Sequence, residues 1–530
     1  MIRHNKASFK NLGFSAATDE PGQADLFDTG HLKSDLKRIS VRSGVFAMTA
    51  QVSKSCLQIV TTVILARLLN PEDFGLVAMV AAVTGFVLLF KDMGLSLATV
   101  QKTEVNHAQI STLFWVNAAC GVLLGGLTAM LGPLLAWFYG EPRLTLVTVA
   151  LACVFVFGGL TVQHEALLKR QMRFGTLAVI GIASTSIGVI TAVIFALGGA
   201  GYWALVAMHL VIAASTAAGA WMFCLWRPGL LIRLSGVKSM LTLGGHVAGF
   251  NIVNYVARNL DKILIGRYGG PVLLGLYDRA YQVVLLPIVS VRTPLVNVAV
   301  PALSRLKDEP VIYKNYYTKL ILLISMVTMP IMAFCFVCSE SAIALVLGDK
   351  WIEVNDVFKV LALVGFIEPV AGTRGSVLMS LGQGRRCLRW GLLNGLVIGT
   401  AFAIGVKWGA LGVAAGYAIG VYALLLPSLL YCFRFSPLSV PSFLHAIWRS
   451  VAASLIMGLA IFCGLSLMPQ HSHIVKILVS TVVGVVVYLV TWVLLPDGKK
   501  WLHELHSYSL LLFTAQRIDL PEGGGPKPTK

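Results

Sequence analysis

Apolar runs long enough to cross a bilayer recur along this chain from residue 43 to residue 496, and they constrain its fold more than any other feature. A helix that crosses the hydrocarbon core needs about 20 predominantly apolar residues. Only 12% of the 530 residues are charged, whereas an average soluble domain has about 25%. The sequence therefore predicts an all-α polytopic membrane protein with about 14 transmembrane helices.

The distribution of positive charge predicts an orientation. Much of the formal net charge of +18 lies in every second loop, for example around Lys169, Arg305 and Arg386. Cytoplasmic loops carry such an excess, so we expect both termini in the cytoplasm. A nucleic-acid partner would instead require a basic face with aromatic residues beside it, and we expect none. The longest loop on the opposite side, residues 339–356, is expected to lie on the membrane surface through Trp351.

A short motif occurs twice, 200 residues apart, as VILAR-x3-P-x3-GL at 63–76 and ILIGR-x3-P-x3-GL at 263–276. Each copy joins the first and second helices of a six-helix set, and an even number of helices separates the copies. We therefore expect two lobes of the same orientation, related by an axis along the membrane normal, with the substrate site in the cleft between them.

This repeat predicts how the chain is divided. Two further helices follow the second set of six and lie outside the repeat. The predicted segments are a disordered cytoplasmic tail at 1–42, an N-lobe of helices 1 to 6 at 43–226, a basic cytoplasmic linker at 227–242, a C-lobe of helices 7 to 12 at 243–433, helices 13 and 14 at 434–496, and a cytoplasmic tail at 497–530.

Polar residues within the apolar helices are candidates for function, because a charge at the bilayer centre costs at least about 2.5 to 3.5 kcal/mol on insertion scales. Lys54 in the first helix and Arg258 in the seventh occupy comparable helices of the two repeats. Two cations beside one cleft favour an anionic substrate, and Arg suits bidentate contact with phosphate. The predicted substrate-binding residues are Lys54, Arg258, Lys262, Arg292, Gln51, Gln58 and Asn254.

Acids in the same helices are candidates to accept a coupling ion or a proton. They are Asp92, Asp261 and Glu368, and the sequence does not choose among them. A structural role remains the alternative for the charged residues: Lys91, Asp278 and Arg279 can reach an interface, and Arg258 can pair with Asp261 or Asp92.

Together, several motifs resemble the polysaccharide transporter (Wzx-type oligosaccharide flippase) family, and in particular the branch of colanic acid and succinoglycan exporters. They are ARLLNPEDFGL at 66–76, KDMGLS at 91–96, RNLDK at 258–262 with IGR at 265–267, GLY at 275–277, and PALSR at 301–305.

The resemblance implies the fold of the multidrug/oligosaccharidyl-lipid/polysaccharide superfamily, with two six-helix lobes. It also implies transfer of undecaprenyl-pyrophosphate-linked sugar repeat units across the bacterial inner membrane by alternating access, for exopolysaccharide or lipopolysaccharide biosynthesis. Expected partners are the lipid-linked substrate, membrane lipids, and a polymerase and co-polymerase of the same pathway.

Neither an enzyme nor a cofactor-dependent protein is predicted. The sequence has no G-x-x-x-x-G-K-[ST], H-E-x-x-H or G-x-S-x-G motif, which would indicate a nucleotide, zinc or hydrolase site. Its nine cysteines lie in or beside apolar spans, so we expect no metal site and no catalytic residue. The alternatives are a cation-coupled multidrug antiporter of the MATE type and a non-transporting membrane component of polysaccharide assembly.

Overall fold

A computed structural model describes residues 36–88, 96, 99–100, 105–229, 238–496 and 498. For residues 36–50, 52, 238–254 and 256–258 it describes the backbone only. Within these ranges every regular element is helical, so the predicted all-α fold class is confirmed. Ten helical stretches of the described part are long and apolar enough to cross a membrane. The chain is a multi-pass membrane protein, and the count of about 14 helices stays a prediction.

The described residues of the first half of the chain form six helices. α3 is capped at both ends, since Asn106 accepts a hydrogen bond from the backbone N–H of Gln109 and Gly140 closes the helix at φ 70°. The helices are α1 (Leu36–Leu68), α2 (Pro71–Leu88), α3 (His107–Tyr139), α4 (Leu144–Arg170), α5 (Phe174–Leu197) and α6 (Trp203–Phe223).

The second half begins with a 68-residue helical segment, α7, that is broken at Gly270 (φ 75°, ψ −177°) into two arms, 238–269 and 271–305. Short 3-10 helices at Asp349–Val354 and Val406–Trp408 interrupt the later part. The helices are α7 (Lys238–Arg305), α8 (Pro310–Val337), α9 (Ser339–Val346), α10 (Asn355–Ala371), α11 (Arg374–Ser380), α12 (Gly384–Gly405), α13 (Gly409–Phe433), α14 (Val440–Ser466) and α15 (His473–Leu494).

The chain forms two compact units whose boundaries differ from the predicted lobes. One unit comprises residues up to Gln58 together with Val83–Ile252, and the other comprises Ile59–Ala82 together with residues from Val253 onward. The connection between α1 and α2 therefore packs with the second half of the chain. The N-terminal end also differs, because α1 begins at Leu36, before the predicted start of the N-lobe at residue 43. Of the predicted tails at 1–42 and 497–530, residues 1–35, 497 and 499–530 lie outside the described part of the structure.

In the second unit, the two copies of the repeated motif pack directly against each other. An added Cβ at Gly75 would overlap the carbonyl oxygen of Pro271, and an added Cβ at Gly275 would overlap that of Pro71. The contact is thus reciprocal, as two structurally equivalent copies produce. Only glycine permits so close an approach of two backbones, because any side chain would fill the space between them.

The two copies turn by different local means. In the first copy Asp73 caps the turn, since its carboxylate accepts a hydrogen bond of 3.0 Å from the backbone N–H of Asn70. Leu273 stands at the equivalent position of the second copy and cannot accept one. There, Gly270 takes a left-handed φ of 75° instead, which costs glycine little.

Trp351 lies in the interior of the second unit, so its predicted place on the membrane surface is wrong. Its side chain is 0% exposed, and its indole N–H donates a 2.9 Å hydrogen bond to the carbonyl of Ala66. The ring meets Phe74 edge-on at 5.5 Å between centroids. Nearby, Arg67 donates to the carbonyl of Leu345 at 2.7 Å. Burying the large ring on the first repeat copy stabilises the fold more than interfacial exposure would.

Candidate functional site

Three of the predicted polar residues lie along one helix of the first unit. Gln51, Lys54 and Gln58 are all exposed on α1, and α1 is continuous through them, so their spacing of three and four places them on one face. The Lys54 side chain lies over Gly181 of α5, where an added Cβ would be 2.7 Å from Nζ. The absence of a side chain at Gly181 thus gives the lysine its room. Asp92 and the side chains of Asn254 and Arg258 lie outside the described part of the structure.

Asp261 is held in a fixed position in the second unit. Its side chain is 3% exposed, its Oδ2 accepts a 2.9 Å hydrogen bond from the Tyr277 hydroxyl, and its Oδ1 accepts one of 2.8 Å from the backbone N–H of Lys262. A buried carboxylate needs such partners, because an unpaired charge there would be costly. This carboxylate is therefore oriented by both arms of α7.

Lys262 is engaged in a buried ion pair one turn from this carboxylate. Its Nζ lies 2.8 Å from Asp278 Oδ1, and Arg279 Nη2 lies 2.8 Å from Asp278 Oδ2. Asp278 is 2% exposed and also accepts a 2.7 Å hydrogen bond from Gln282. The guanidinium of Arg279 in turn lies 4.5 Å from the centre of the Phe74 ring, close enough for a cation–π contact.

Arg292 and Glu368 form the second charged group of this unit. Arg292 Nη2 donates a 2.9 Å hydrogen bond to the carbonyl of Gly372, and its Nη1 is 3.7 Å from Glu368 Oε1. Both side chains are about one quarter exposed, at 26% and 29%. The ion pair is thus long and partly open, and Glu368 retains capacity to accept further hydrogen bonds.

A cavity of about 290 Å³ joins these groups inside the second unit. Asp261, Arg292 and Glu368 line it, so the structure brings together three residues that the sequence placed on separate helices. Three further polar side chains line the cavity: Asn394 of α12, Tyr417 of α13 and Arg374 of α11. The walls are otherwise largely apolar, and the cavity therefore has a small set of polar groups converging in an apolar enclosure, as ligand sites have.

Asn394, Tyr417 and Asp278 were not among the predicted site residues. Asp278 could have been identified from the sequence, because a carboxylate within a membrane span must have a partner. Asn394 is likewise a polar residue among apolar ones in α12. Tyr417 carried no signal, since tyrosines in membrane helices most often lie at interfaces.

The fold is that of membrane transporters. A solved structure of "Lipid II flippase MurJ, inward closed conformation" matches with a TM-score of 0.68 and 13% identity over 85% of this chain and 98% of that one. A MATE-family multidrug transporter of the MOP superfamily matches with a TM-score of 0.55 and 13% identity over 77% and 98%. Both likenesses are of fold, and they confirm the predicted fold.

The chain belongs to the polysaccharide biosynthesis protein family, whose model matches residues 64–356, more than half of its length. The teichuronic acid biosynthesis protein TuaB of Bacillus subtilis is 28% identical over 84% of this chain and 93% of its own length. The succinoglycan biosynthesis transport protein ExoT of Rhizobium meliloti is 27% identical over 82% and 88%. The predicted resemblance to polysaccharide transporters is thus confirmed, and with it a transport protein rather than an enzyme.

The MATE-type alternative is less well supported. Family and relatives are named for polysaccharide biosynthesis, whereas the likeness to a multidrug transporter is one of fold at low identity. Different functions share a fold, so the fold does not by itself select a cargo.

Proposed function

We propose that this protein translocates undecaprenyl-pyrophosphate-linked oligosaccharide repeat units across the bacterial inner membrane, for exopolysaccharide or lipopolysaccharide biosynthesis, by alternating access. The proposal rests on the family match and the fold match taken together. A member of a polysaccharide biosynthesis family has the fold of a protein named as a lipid flippase. Assembly of such polymers requires a lipid-linked unit made in the cytoplasm to reach the other leaflet, and a polymerase and co-polymerase would then receive it.

Lys54 and Arg258 are the residues proposed to bind the pyrophosphate. Lys54 is an exposed cation on a long helix, and a cation is retained at such a place when it has a functional partner. Gln51 and Gln58 on the same face, and Asn254, supply hydrogen bonds to the headgroup. An arginine and a lysine offer complementary contacts, one planar and bidentate and the other a point charge.

Lys262 and Arg292 are the other two cations proposed to bind the cargo. In the structure each is paired with an acid, Lys262 with Asp278 at 2.8 Å and Arg292 with Glu368 at 3.7 Å. The longer pair is the easier one for a ligand to displace. Arg292 is therefore the better candidate of the two.

Asp92, Asp261 and Glu368 are the acids proposed to accept the coupling ion or proton. Asp261 already has two hydrogen-bond donors at its oxygens, whereas in the described part of the structure Glu368 has only the distant guanidinium of Arg292. Transport in vesicles of Asp261→Asn and Glu368→Gln, under imposed sodium or proton gradients, distinguishes them. The coupling acid is the one whose removal abolishes the dependence on the gradient.

The orientation is proposed from the charge pattern, with both termini in the cytoplasm. Residues 169–173 and 385–389, which carry three basic residues each, would then face the cytoplasm as well. Single cysteines introduced at Gly384 and Gly140, where an added Cβ meets no neighbour within 4 Å, on a background without native cysteines, test this by labelling from one side. Labelling of the two positions from the same side would contradict the proposed topology.

Removal of the proposed cations tests the function. Lys54→Ala and Arg258→Ala should each weaken cargo binding by about 10- to 150-fold, the equivalent of one charge-assisted hydrogen bond of about 1.5 to 3 kcal/mol. In a strain without the chromosomal gene, these variants should insert normally, fail to restore polymer, and accumulate the lipid-linked repeat unit. Lys54→Arg should retain part of the activity.

Lys476→Ala is the matched control, because Lys476 lies on α15, outside the repeat, and donates to a nearby carbonyl. It should restore polymer to the level of the unmodified protein. Normal polymer export by Arg258→Ala would remove the role assigned to Arg258. Absence of the lipid-linked unit in the deletion strain, together with increased drug sensitivity, would favour the multidrug alternative instead.

A further inference from the structure

The cavity inside the second unit carries an inference about the cargo. Four of its lining side chains are ionised at neutral pH in their ordinary states: the acids Asp261 and Glu368, and the bases Arg292 and Arg374. Their formal charges cancel. A site for a simple cation would hold an excess of acids and a site for phosphate an excess of bases, so the cavity matches neither.

Although balanced in charge, the cavity has unused hydrogen-bonding capacity of both kinds. Arg374 lines the cavity, and its buried Nη1 has no hydrogen-bond partner among the described residues. Among the described residues, Glu368 has only the long 3.7 Å ion-pair contact with Arg292, so its carboxylate is an available acceptor. Asn394 lines the same space and its amide offers both a donor and an acceptor.

Adjacent donors and acceptors suit a ligand whose own neighbouring groups each donate and accept, as the vicinal hydroxyls of a sugar do. The apolar side of such a ring needs a complementary surface, and Tyr281, Phe402 and Tyr417 provide aromatic rings in the cavity wall. The volume of about 290 Å³ lies at the lower end of the range of ligand pockets, about 300 to 1,000 Å³. It therefore accommodates one ring rather than an oligosaccharide.

We propose that this cavity binds a single neutral sugar ring of the cargo, held by Glu368, Arg374 and Asn394. The proposal rests on the function proposed above and adds a second contact, separate from that of the pyrophosphate with Lys54 and Arg258. Arg292 then positions Glu368 through their ion pair. The coupling role, if the sugar occupies Glu368, falls to Asp92 or Asp261.

A substitution in one wall of the cavity can reduce the space available to a ligand. Gly391 and Gly395 line the cavity one turn apart on α12, and an added Cβ at Gly391 would meet no heavy atom within 4 Å. Gly391→Leu therefore adds a side chain at the cavity wall from a position where its Cβ meets no neighbour. Gly126→Leu is the matched control, because Gly126 is also within a helix, and an added Cβ there meets nothing either.

The test is direct binding of sugars to the purified full-length protein in nanodiscs, since glycoside detergents would compete for the site. The probes are the methyl glycosides of glucose, galactose, mannose, N-acetylglucosamine and other N-acetylated amino sugars. Binding of sodium chloride and of inorganic phosphate is measured separately. Calorimetry or saturation-transfer NMR reports binding. At least one glycoside should bind the unmodified protein and Gly126→Leu equally.

Gly391→Leu, Glu368→Gln and Asn394→Ala should each weaken that binding at least tenfold. Circular dichroism and elution from size exclusion establish that each variant is folded, and Gly391→Ala, which narrows the cavity least, is the milder variant if leucine is not tolerated. The proposal is overturned if no glycoside binds, if Gly391→Leu and Gly391→Ala leave binding unchanged, or if only sodium or only phosphate binds at this cavity.

Failure of this proposal is distinguishable from failure of the function itself. If no glycoside binds but Lys54→Ala still blocks polymer export and accumulates the lipid-linked unit, the flippase function stands and the sugar site is wrong. If a glycoside binds in the cavity while Lys54→Ala and Arg258→Ala export normally, the pyrophosphate contact is the part that fails.

Discussion

The contact between the two copies of the repeated motif makes a quantitative prediction. Gly75→Ala would place a Cβ 2.5 Å from the carbonyl carbon of Pro271, and Gly275→Ala would place one 2.8 Å from that of Pro71. Real Cβ atoms essentially never approach a heavy atom within 3.0 Å. The backbone cannot rotate away as a side chain would, so α2 and the second arm of α7 must separate.

The cost of that separation follows from the behaviour of overpacked cores. Inserting a methyl group where no space exists costs about 1 to 3 kcal/mol, and a backbone clash belongs at the upper end, near 3. Replacing glycine by alanine within a helix returns about 1 kcal/mol. Each single variant should therefore lose about 2 kcal/mol of stability.

The double variant is the informative one. Because one displacement of the two segments relieves both overlaps, the clash is incurred once while the helix-propensity gain applies twice. Gly75→Ala with Gly275→Ala should then lose only about 1 kcal/mol, against about 4 kcal/mol if the two effects were independent. The measurement is reversible unfolding by SDS of the purified protein, followed by tryptophan fluorescence. Gly126→Ala and Gly464→Ala, which meet open space, should show no loss.

Two results would refute this reasoning. Additive losses near 4 kcal/mol would mean that each overlap is relieved by its own local shift rather than by a common separation. No loss in either single variant would mean that the two copies do not touch in the resting protein.

Two further substitutions test the packing of the second unit. Asp278→Asn removes the buried carboxylate that pairs with Lys262, whose side chain is 19% exposed, and should destabilise the protein by about 1.5 to 3 kcal/mol, the range of a charge-assisted hydrogen bond. In the same SDS titration, adding Lys262→Met should recover part of the loss, and no recovery would contradict their coupling. Trp351→Phe removes the hydrogen bond to Ala66 and should lower the stability of the protein by about 1 to 3 kcal/mol. Trp137→Phe, at a side chain that is 78% exposed, should cause no measurable loss of stability. Equal losses in the two variants would contradict the burial of Trp351.

The sequence predicted where helices lie in the chain better than it predicted which parts of the structure pack against each other. The apolar runs predicted an all-helical chain that crosses a membrane many times, because hydropathy over about 20 residues reflects the solvent that a segment meets. The repeated motif likewise predicted an equivalence between residues 63–76 and 263–276, which the reciprocal glycine contact bears out. Trp351 was misplaced, because an amphipathic loop has the same composition whether it covers the membrane surface or another part of the protein.

In the candidate site, too, the individual residues were predictable but their arrangement was not. Asp261, Arg292 and Glu368 were predicted as functional because each is an ionisable residue in an apolar helix. Their sharing of one cavity with Asn394 and Tyr417 was not predictable, since it depends on which faces of α7, α10, α12 and α13 meet. Asn394 is polar in any arrangement, but only its position beside Glu368 makes it a candidate ligand.

The sequence by itself determined that this chain crosses a membrane many times, that a motif recurs after 200 residues, and that charged residues interrupt specific helices. These properties are local, because a helix and its hydropathy depend on neighbouring residues and on the bilayer. Only the tertiary structure decided that Lys262 pairs with Asp278, that Gly75 meets Pro271, and that Trp351 is buried. These pairings join residues on different helical segments or on the two arms of α7, and the packing of one helix face on another selects them.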